Sequence, residues 1–122
     1  MSERLVDYDR VVEVGIGDRP DLSATLAAAG VSVIATDVAD RSVPAGVDFV
    51  RDDVTDPDLS VYVGAGAIVA RNLPPDLQGP ALAVASAVGA DLFFTTLGTD
   101  PAVVPADPRT IDDGTVFASV RK

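Results

Sequence analysis

The chain has 122 residues and a formal net charge of -10 at pH 7, from 17 Asp and 2 Glu against 8 Arg and a single Lys, and it contains neither Cys nor His. With 48% apolar residues it is long enough for one domain with a core, spanning residues 1–122, and too apolar for disorder. The missing Cys and His exclude disulfides, thiolate and serine–histidine nucleophiles and zinc held by sulfur or imidazole, and the few scattered cations exclude a basic stripe for direct nucleic-acid binding.

Asp spread along the whole chain suits a surface that stays hydrated in high salt; a halophile's cytoplasm is the expected setting, and the alternative is an acidic protein at ordinary ionic strength. The longest apolar runs, 61–70 and 81–90, are too short to span a membrane, and residues 2–10 are charged where a signal peptide is apolar.

Residues 11–15 form a β-branched run ending in Gly15. Residues 18–30 then read as a helix, with Asp18 as N-cap, Pro20 in the first turn, Leu22 and Leu26 on one face and Gly30 beyond its end. A nearly continuous apolar strand, 31–37, completes a βαβ unit of the kind that builds a buried parallel sheet. Residues 47–51 are a third strand, 56–62 a short helix and 65–70 a fourth strand. A second helix covers 76–90 with Leu77, Ala81, Val84 and Val88 along one side, and 91–96 is a fifth strand. Pro101, Pro105 and Pro108 mark 97–114 as a loop that closes in a turn at 112–114. The sixth and last strand, 115–120, is expected antiparallel at a sheet edge, because no helical pattern precedes it. The predicted architecture is α/β: a small, truncated Rossmann-like three-layer sandwich with a mostly parallel sheet.

Ligands of such sheets lie outside the carboxyl ends of the strands, so the strand ends carry the candidates. Gly15 and Gly17 let the chain turn sharply, either to approach a ligand or simply to enter the helix. Asp37 ends the second strand 20 residues past Gly17, the distance at which an acid accepts hydrogen bonds from ribose hydroxyls; the plainer alternative is the start of a solvated loop. Asp53 follows the third strand, and Arg71 and Asn72 follow the fourth. Glu13 alternates into a buried strand, where it needs to be ionised and paired, either to orient the glycine loop through backbone N–H groups or to hold a ligand's ammonium. Arg71 can bind a carboxylate with two hydrogen bonds, although a pair with Asp76 or Asp53 is the plainer expectation. Asp52, Asp53, Asp56 and Asp58 lack the spacing of a calcium loop and read as solvated acidity, so no metal is expected. A third glycine at position 20 would complete the dinucleotide fingerprint. Pro20 stands there and Asp18 adds negative charge, so a reduced NAD-binding oxidoreductase is the weakest reading.

Val12-Glu13-Val14-Gly15-Ile16-Gly17, with Asp37 and Asp53 at the next two strand ends, resembles the first blocks of class I S-adenosylmethionine-dependent methyltransferases. The resemblance implies that the glycines line the amino-acid end of S-adenosylmethionine, that Asp37 binds its ribose, that Asp53 lies near its adenine and that Arg71 and Asn72 face the acceptor. Over most of its length, through Asp56-Pro57-Asp58-Leu59, Arg71 before Pro74-Pro75, and Gly114-Thr115-Val116-Phe117, the chain more closely resembles an archaeal uncharacterised protein family numbered 0146. Arg19 occupies the third place of the glycine triplet, and Leu73 and Asp76 break the Asn-Pro-Pro-aromatic motif of amino-group methyltransferases. The implied function is binding of an adenosyl ligand, with methyl transfer if the protein is a catalyst. The alternative is a non-catalytic binding or regulatory subunit whose ligand is a small molecule or a partner protein.

Overall fold

Three valines in five residues make Arg10–Val14 a strand, β1, and their branched side chains suit burial on both faces of a pleated sheet. The computed structural model, which describes residues 1–111 and 114–120, continues with α1 (Asp21–Ala28), β2 (Ser32–Asp37), β3 (Val47–Arg51), β4 (Ala67–Ala70), α2 (Pro75–Val88), β5 (Asp91–Phe94), β6 (Asp107–Ile111) and β7 (Gly114–Ser119). Among the described residues there is one seven-stranded sheet in the order β3-β2-β1-β4-β5-β7-β6. The first five strands are parallel, and β7 runs antiparallel to both of its neighbours. Strand order reverses between β1 and β4, which places the crevice at their carboxyl ends.

One helix covers each face. Leu22 and Leu26 of α1 pack with Val11, Val33 and Ala67 on one side of the sheet, while Ala81, Val84 and Ala85 of α2 pack with Val12, Ile34 and Ile68 on the other. Each of these Leu, Val and Ile side chains contributes about 2 kcal/mol by leaving water. The result is an α/β three-layer sandwich whose reduction lies in its helices, since the sheet is one strand larger than the six expected.

The extra strand is β6. Its Pro108 and the neighbouring prolines suggest a loop, but β6 is an edge strand, where one side of the hydrogen-bond ladder is open and a missing N–H costs little. The last strand is antiparallel as expected. It lies inside the edge, between β5 and β6, and not at it. Asp112 and Asp113 of the expected turn lie outside the described residues.

Other boundaries move for local reasons. α1 starts at Asp21 with Pro20 as its N-cap residue, so Asp18 does not cap it; Asp18 and Arg19 belong to a turn closed by the Arg19 N–H on the Ile16 carbonyl. The 56–62 helix shrinks to a single 3-10 turn, Leu59–Val61, whose start is set by the Asp58 carboxylate accepting the Ser60 N–H. α2 ends at Gly89, whose φ of 77° closes the helix in the left-handed conformation. Its buried face is also rotated from the predicted one: Gln78, fully buried, takes the place expected for Leu77.

Candidate functional site

After Val14 the chain turns through Gly15 (φ 70°) and Gly17 (φ 60°), both in the left-handed region that favours glycine. The amide groups of this turn are spent on β2. The N–H groups of Gly15 and Ile16 donate to the Thr36 carbonyl at 2.9 and 3.1 Å, and that of Gly17 donates to Asp37 Oδ2 at 2.8 Å. Asp37 also accepts the Ala39 N–H on Oδ1 at 3.1 Å, and Arg41 Nε lies 3.5 Å from Oδ2. Burial pushes its pKa up, but these N–H donors and the Arg41 charge outweigh that and hold the carboxyl below its usual range.

Glu13 sits on β1 and faces α1, where it is 1% exposed. Its Oε1 accepts the Ser23 hydroxyl at 2.6 Å, and its Oε2 accepts Arg71 Nε at 3.2 Å and Nη2 at 3.1 Å. Arg71 also donates from Nη1 to both carboxylate oxygens of Asp21 at 3.1 Å and from Nη2 to the Arg19 carbonyl at 2.6 Å. Glu13 is therefore paired, as its burial demands. Its partners are neither the glycine-loop amides nor an open cleft, and Arg71 pairs with neither Asp76 nor Asp53. Burial raises the Glu13 pKa, and the Ser23 hydrogen bond and the Arg71 charge pull it part of the way back. Glu13 comes from β1 and Arg71 from the end of β4, so the ion pair spans the point where strand order reverses.

The remaining candidates stand apart from this cluster. Asp53 is exposed and closes a turn on itself, accepting the Thr55 N–H at 2.9 Å and hydroxyl at 2.7 Å, which lowers its pKa. With Val38, Arg51 and Asp52 it borders a shallow pocket of about 400 Å³ next to Asp37. Asp52 serves its own loop, accepting the Tyr62 hydroxyl at 2.6 Å and the Asp58 N–H at 3.0 Å. Asn72 holds a left-handed φ of 55°, with its N–H on Thr95 Oγ1 at 2.9 Å. Leu73, the residue that interrupts the Asn-Pro-Pro pattern, is buried in the core.

Sequence reasoning missed Ser23 and Asp21. Ser23 had a signal, since it follows Leu22 on the inward side of a helix otherwise lined with Leu and Ala. Among the described residues there is no group of three or more acids placed to hold a metal, and no helix is long and apolar enough to cross a membrane.

The sequence pattern of uncharacterised protein family UPF0146 matches residues 2–122. The chain belongs to that family. A UPF0146 protein of Halobacterium salinarum is 51% identical over 116 residues, covering 94% of this chain and 90% of its own, and one of Archaeoglobus fulgidus is 43% identical over 91 residues, covering 75% and 70%. Among solved structures, the UPF0146 chain superposes on one of the fibrillarin/Nop5p complex with a TM-score of 0.67 at 9% identity, over 93% of this chain and 73% of that one. It also superposes on the MycE methyltransferase of mycinamycin biosynthesis, in complex with Mg, SAH and mycinamycin VI, with a TM-score of 0.63 at 13% identity, over 98% of this chain and 44% of the enzyme. At such identities these likenesses establish the methyltransferase-like fold.

Proposed function

We propose that the crevice binds S-adenosylmethionine or a related adenosyl ligand, with ribose hydroxyls on Asp37, adenine over the exposed Val38 beside Asp53, and the amino-acid end along Gly15 and Gly17. The observation that carries this reading is the 2.8 Å hydrogen bond from the Gly17 N–H to Asp37, which joins two candidates 20 residues apart into one corner of the crevice. A carboxylate has about four acceptor sites. Main-chain N–H groups take one on each Asp37 oxygen, and Arg41 at 3.5 Å from Oδ2 takes at most one more, which leaves Oδ1 able to accept a ribose hydroxyl. A Cβ placed at Gly15 or Gly17 would meet no atom within 4 Å, so the turn faces open space.

The same geometry weighs against NAD. Gly15, Ile16 and Gly17 already donate their N–H groups within the protein, leaving none of the three for a pyrophosphate, and Asp21 adds negative charge to the first turn of α1. When bound, S-adenosylmethionine supplies an electrophilic methyl group. The chain's part in a transfer is then to hold the acceptor in line, with Arg71 and Asn72 on the acceptor side at the end of β4.

A second reading, a non-catalytic binding subunit, is favoured by one observation. The Arg71 guanidinium already occupies Glu13, the buried carboxylate to which a ligand's ammonium would go. In either case a high-salt archaeal cytoplasm is the setting that fits 17 Asp against one Lys and a close relative in Halobacterium salinarum.

Calorimetric titration of the full chain in molar salt with S-adenosylmethionine, S-adenosylhomocysteine and NAD tests these readings. Micromolar binding of the first two is expected, weakened about tenfold by Asp37→Asn through loss of charge-assisted hydrogen bonds. Silence from all three ligands sinks the adenosyl reading and leaves the binding subunit; tight NAD binding overturns both.

A further inference from the structure

A cavity of about 770 Å³ lies on the other side of the reversal point, between α1, the ends of β4 and β5, and β7. Its volume falls within the range of small-molecule sites. Arg19, Arg71, Asn72, Thr95, Thr96 and Thr99 line it, so two of the nine cationic side chains in a chain of net charge -10 meet in one polar hollow. We propose that this cavity binds a small hydrophilic carboxylate, whose carboxylate group takes the outer edge of Arg71 and pairs with Arg19. The site shares Arg71 and Asn72 with the proposed acceptor side, but it lies apart from the adenosyl corner at Asp37, and binding of a carboxylate there does not depend on an adenosyl ligand.

Arg71 is a prepared receptor. Its side chain is 15% exposed, and its inner edge is fixed on Glu13 and on the Arg19 carbonyl. The outer edge carries only Asp21, whose side chain is 73% exposed and whose two oxygens both lie 3.1 Å from Nη1. Asp21 therefore displays the contact that a free carboxylate would make, while itself remaining largely in water. Exposed pairs of this kind contribute about 0–1 kcal/mol, so exchange for a ligand costs little. The Arg19 guanidinium has neither a hydrogen bond nor an ion pair among the described residues, and it supplies the charge that an incoming anion needs.

The rest of the lining sets the class of ligand. Threonine hydroxyls and the Asn72 amide favour a molecule with hydroxyls of its own. Asp21 and Asp100 also border the cavity and oppose a doubly charged phosphate. Phe117, an aromatic side chain of the lining, is already stacked on Phe94 at 5.4 Å.

NMR titration of the 15N-labelled full chain, without any adenosyl ligand and at one fixed salt concentration, tests the site with D-glycerate, glycerol and inorganic phosphate as probes. Glycerate is expected to shift the Arg71 Nε–H and the Thr95, Thr96 and Thr99 amides saturably, while glycerol leaves them in place and phosphate binds more weakly. Arg19→Gln weakens glycerate about fivefold by removing the unpaired charge. Asp21→Asn removes the resident competitor and tightens it about threefold. Both residues are exposed, so both variants keep the fold, which circular dichroism checks. The proposal fails if glycerate gives no saturable shift, if glycerol or phosphate matches it, or if both variants bind it as the parent does.

Discussion

Glu13, one residue before the end of β1, and Asp37, the last residue of the adjacent parallel β2, are held in opposite ways. Asp37 is gripped by main-chain N–H groups from its own turn and from the glycine turn, and its pKa is pulled down. Glu13 is gripped by side chains that arrive from α1 and from the end of β4, and its pKa is pushed up by burial. Main-chain donors are fixed by the fold and leave a carboxylate with spare acceptor capacity, which is what the proposed adenosyl site asks of Asp37. A buried acid answered by a distant guanidinium is a brace between strands, and its ionised state is only as secure as its partner.

The sharpest way to break this contrast is Arg71→Leu. It leaves Glu13 buried with only the Ser23 hydroxyl, and removing one member of a buried pair costs about 3–5 kcal/mol. Urea unfolding at fixed salt should show that loss at neutral pH, and Glu13→Gln combined with Arg71→Leu should recover most of it. A single-variant loss below about 1 kcal/mol means that the pair is not a brace. Next in size is Gln78→Leu. The Gln78 amide donates to the Pro101 carbonyl at 2.9 Å and accepts the Val103 N–H at 2.7 Å, tying the loop after β5 to α2. Losing both bonds should cost about 2 kcal/mol and accelerate hydrogen exchange at Val103; unchanged exchange there would show that the loop is held by other contacts.

These two residues mark where the sequence stops being legible. The glycine turn and Asp37 can be read directly, because strand, turn and strand are consecutive and the spacing of 20 residues carries the geometry. The partners of Arg71 cannot. The partners expected for it are Asp76 and Asp53, while its actual partners Glu13 and Asp21 lie 58 and 50 residues away and are brought near only by the neighbouring of β1 and β4. Gln78 reads as solvent-facing polarity in an apolar helix, because hydropathy cannot see that the loop it faces presents one carbonyl and one N–H. The prolines around β6 hide a strand for a related reason: an edge position forgives what an interior position forbids.

Asp37→Asn tests the other half of the contrast through pH. The folded carboxyl titrates below its unfolded value of about 3.9, so its contribution is fully present above that value and fades as pH falls through the folded pKa. The stability gap between parent and variant, about 1.5 kcal/mol from weakened charge-assisted bonds, should therefore be flat at neutral pH and close in acid. Glu13 has the opposite sign. A raised folded pKa favours the native state below the unfolded value, and that advantage is lost as pH rises through the folded pKa. A gap for Asp37→Asn that widens in acid would contradict the low pKa and the grip of the N–H groups.

The smallest effect separates the two edges of Arg71. Asp21 shares that guanidinium with Glu13 but lies in water, so Asp21→Asn should cost no more than about 0.5 kcal/mol in urea unfolding, roughly a tenth of the Arg71→Leu loss. The disparity would follow from burial alone, since both carboxylates lie about 3.1 Å from the same cation. If Asp21→Asn instead approaches the cost of Arg71→Leu, then Asp21 belongs to the brace and the outer edge of Arg71 is structural on both sides. A cost near zero leaves that edge open to exchange, which is the condition for any outside carboxylate to reach it.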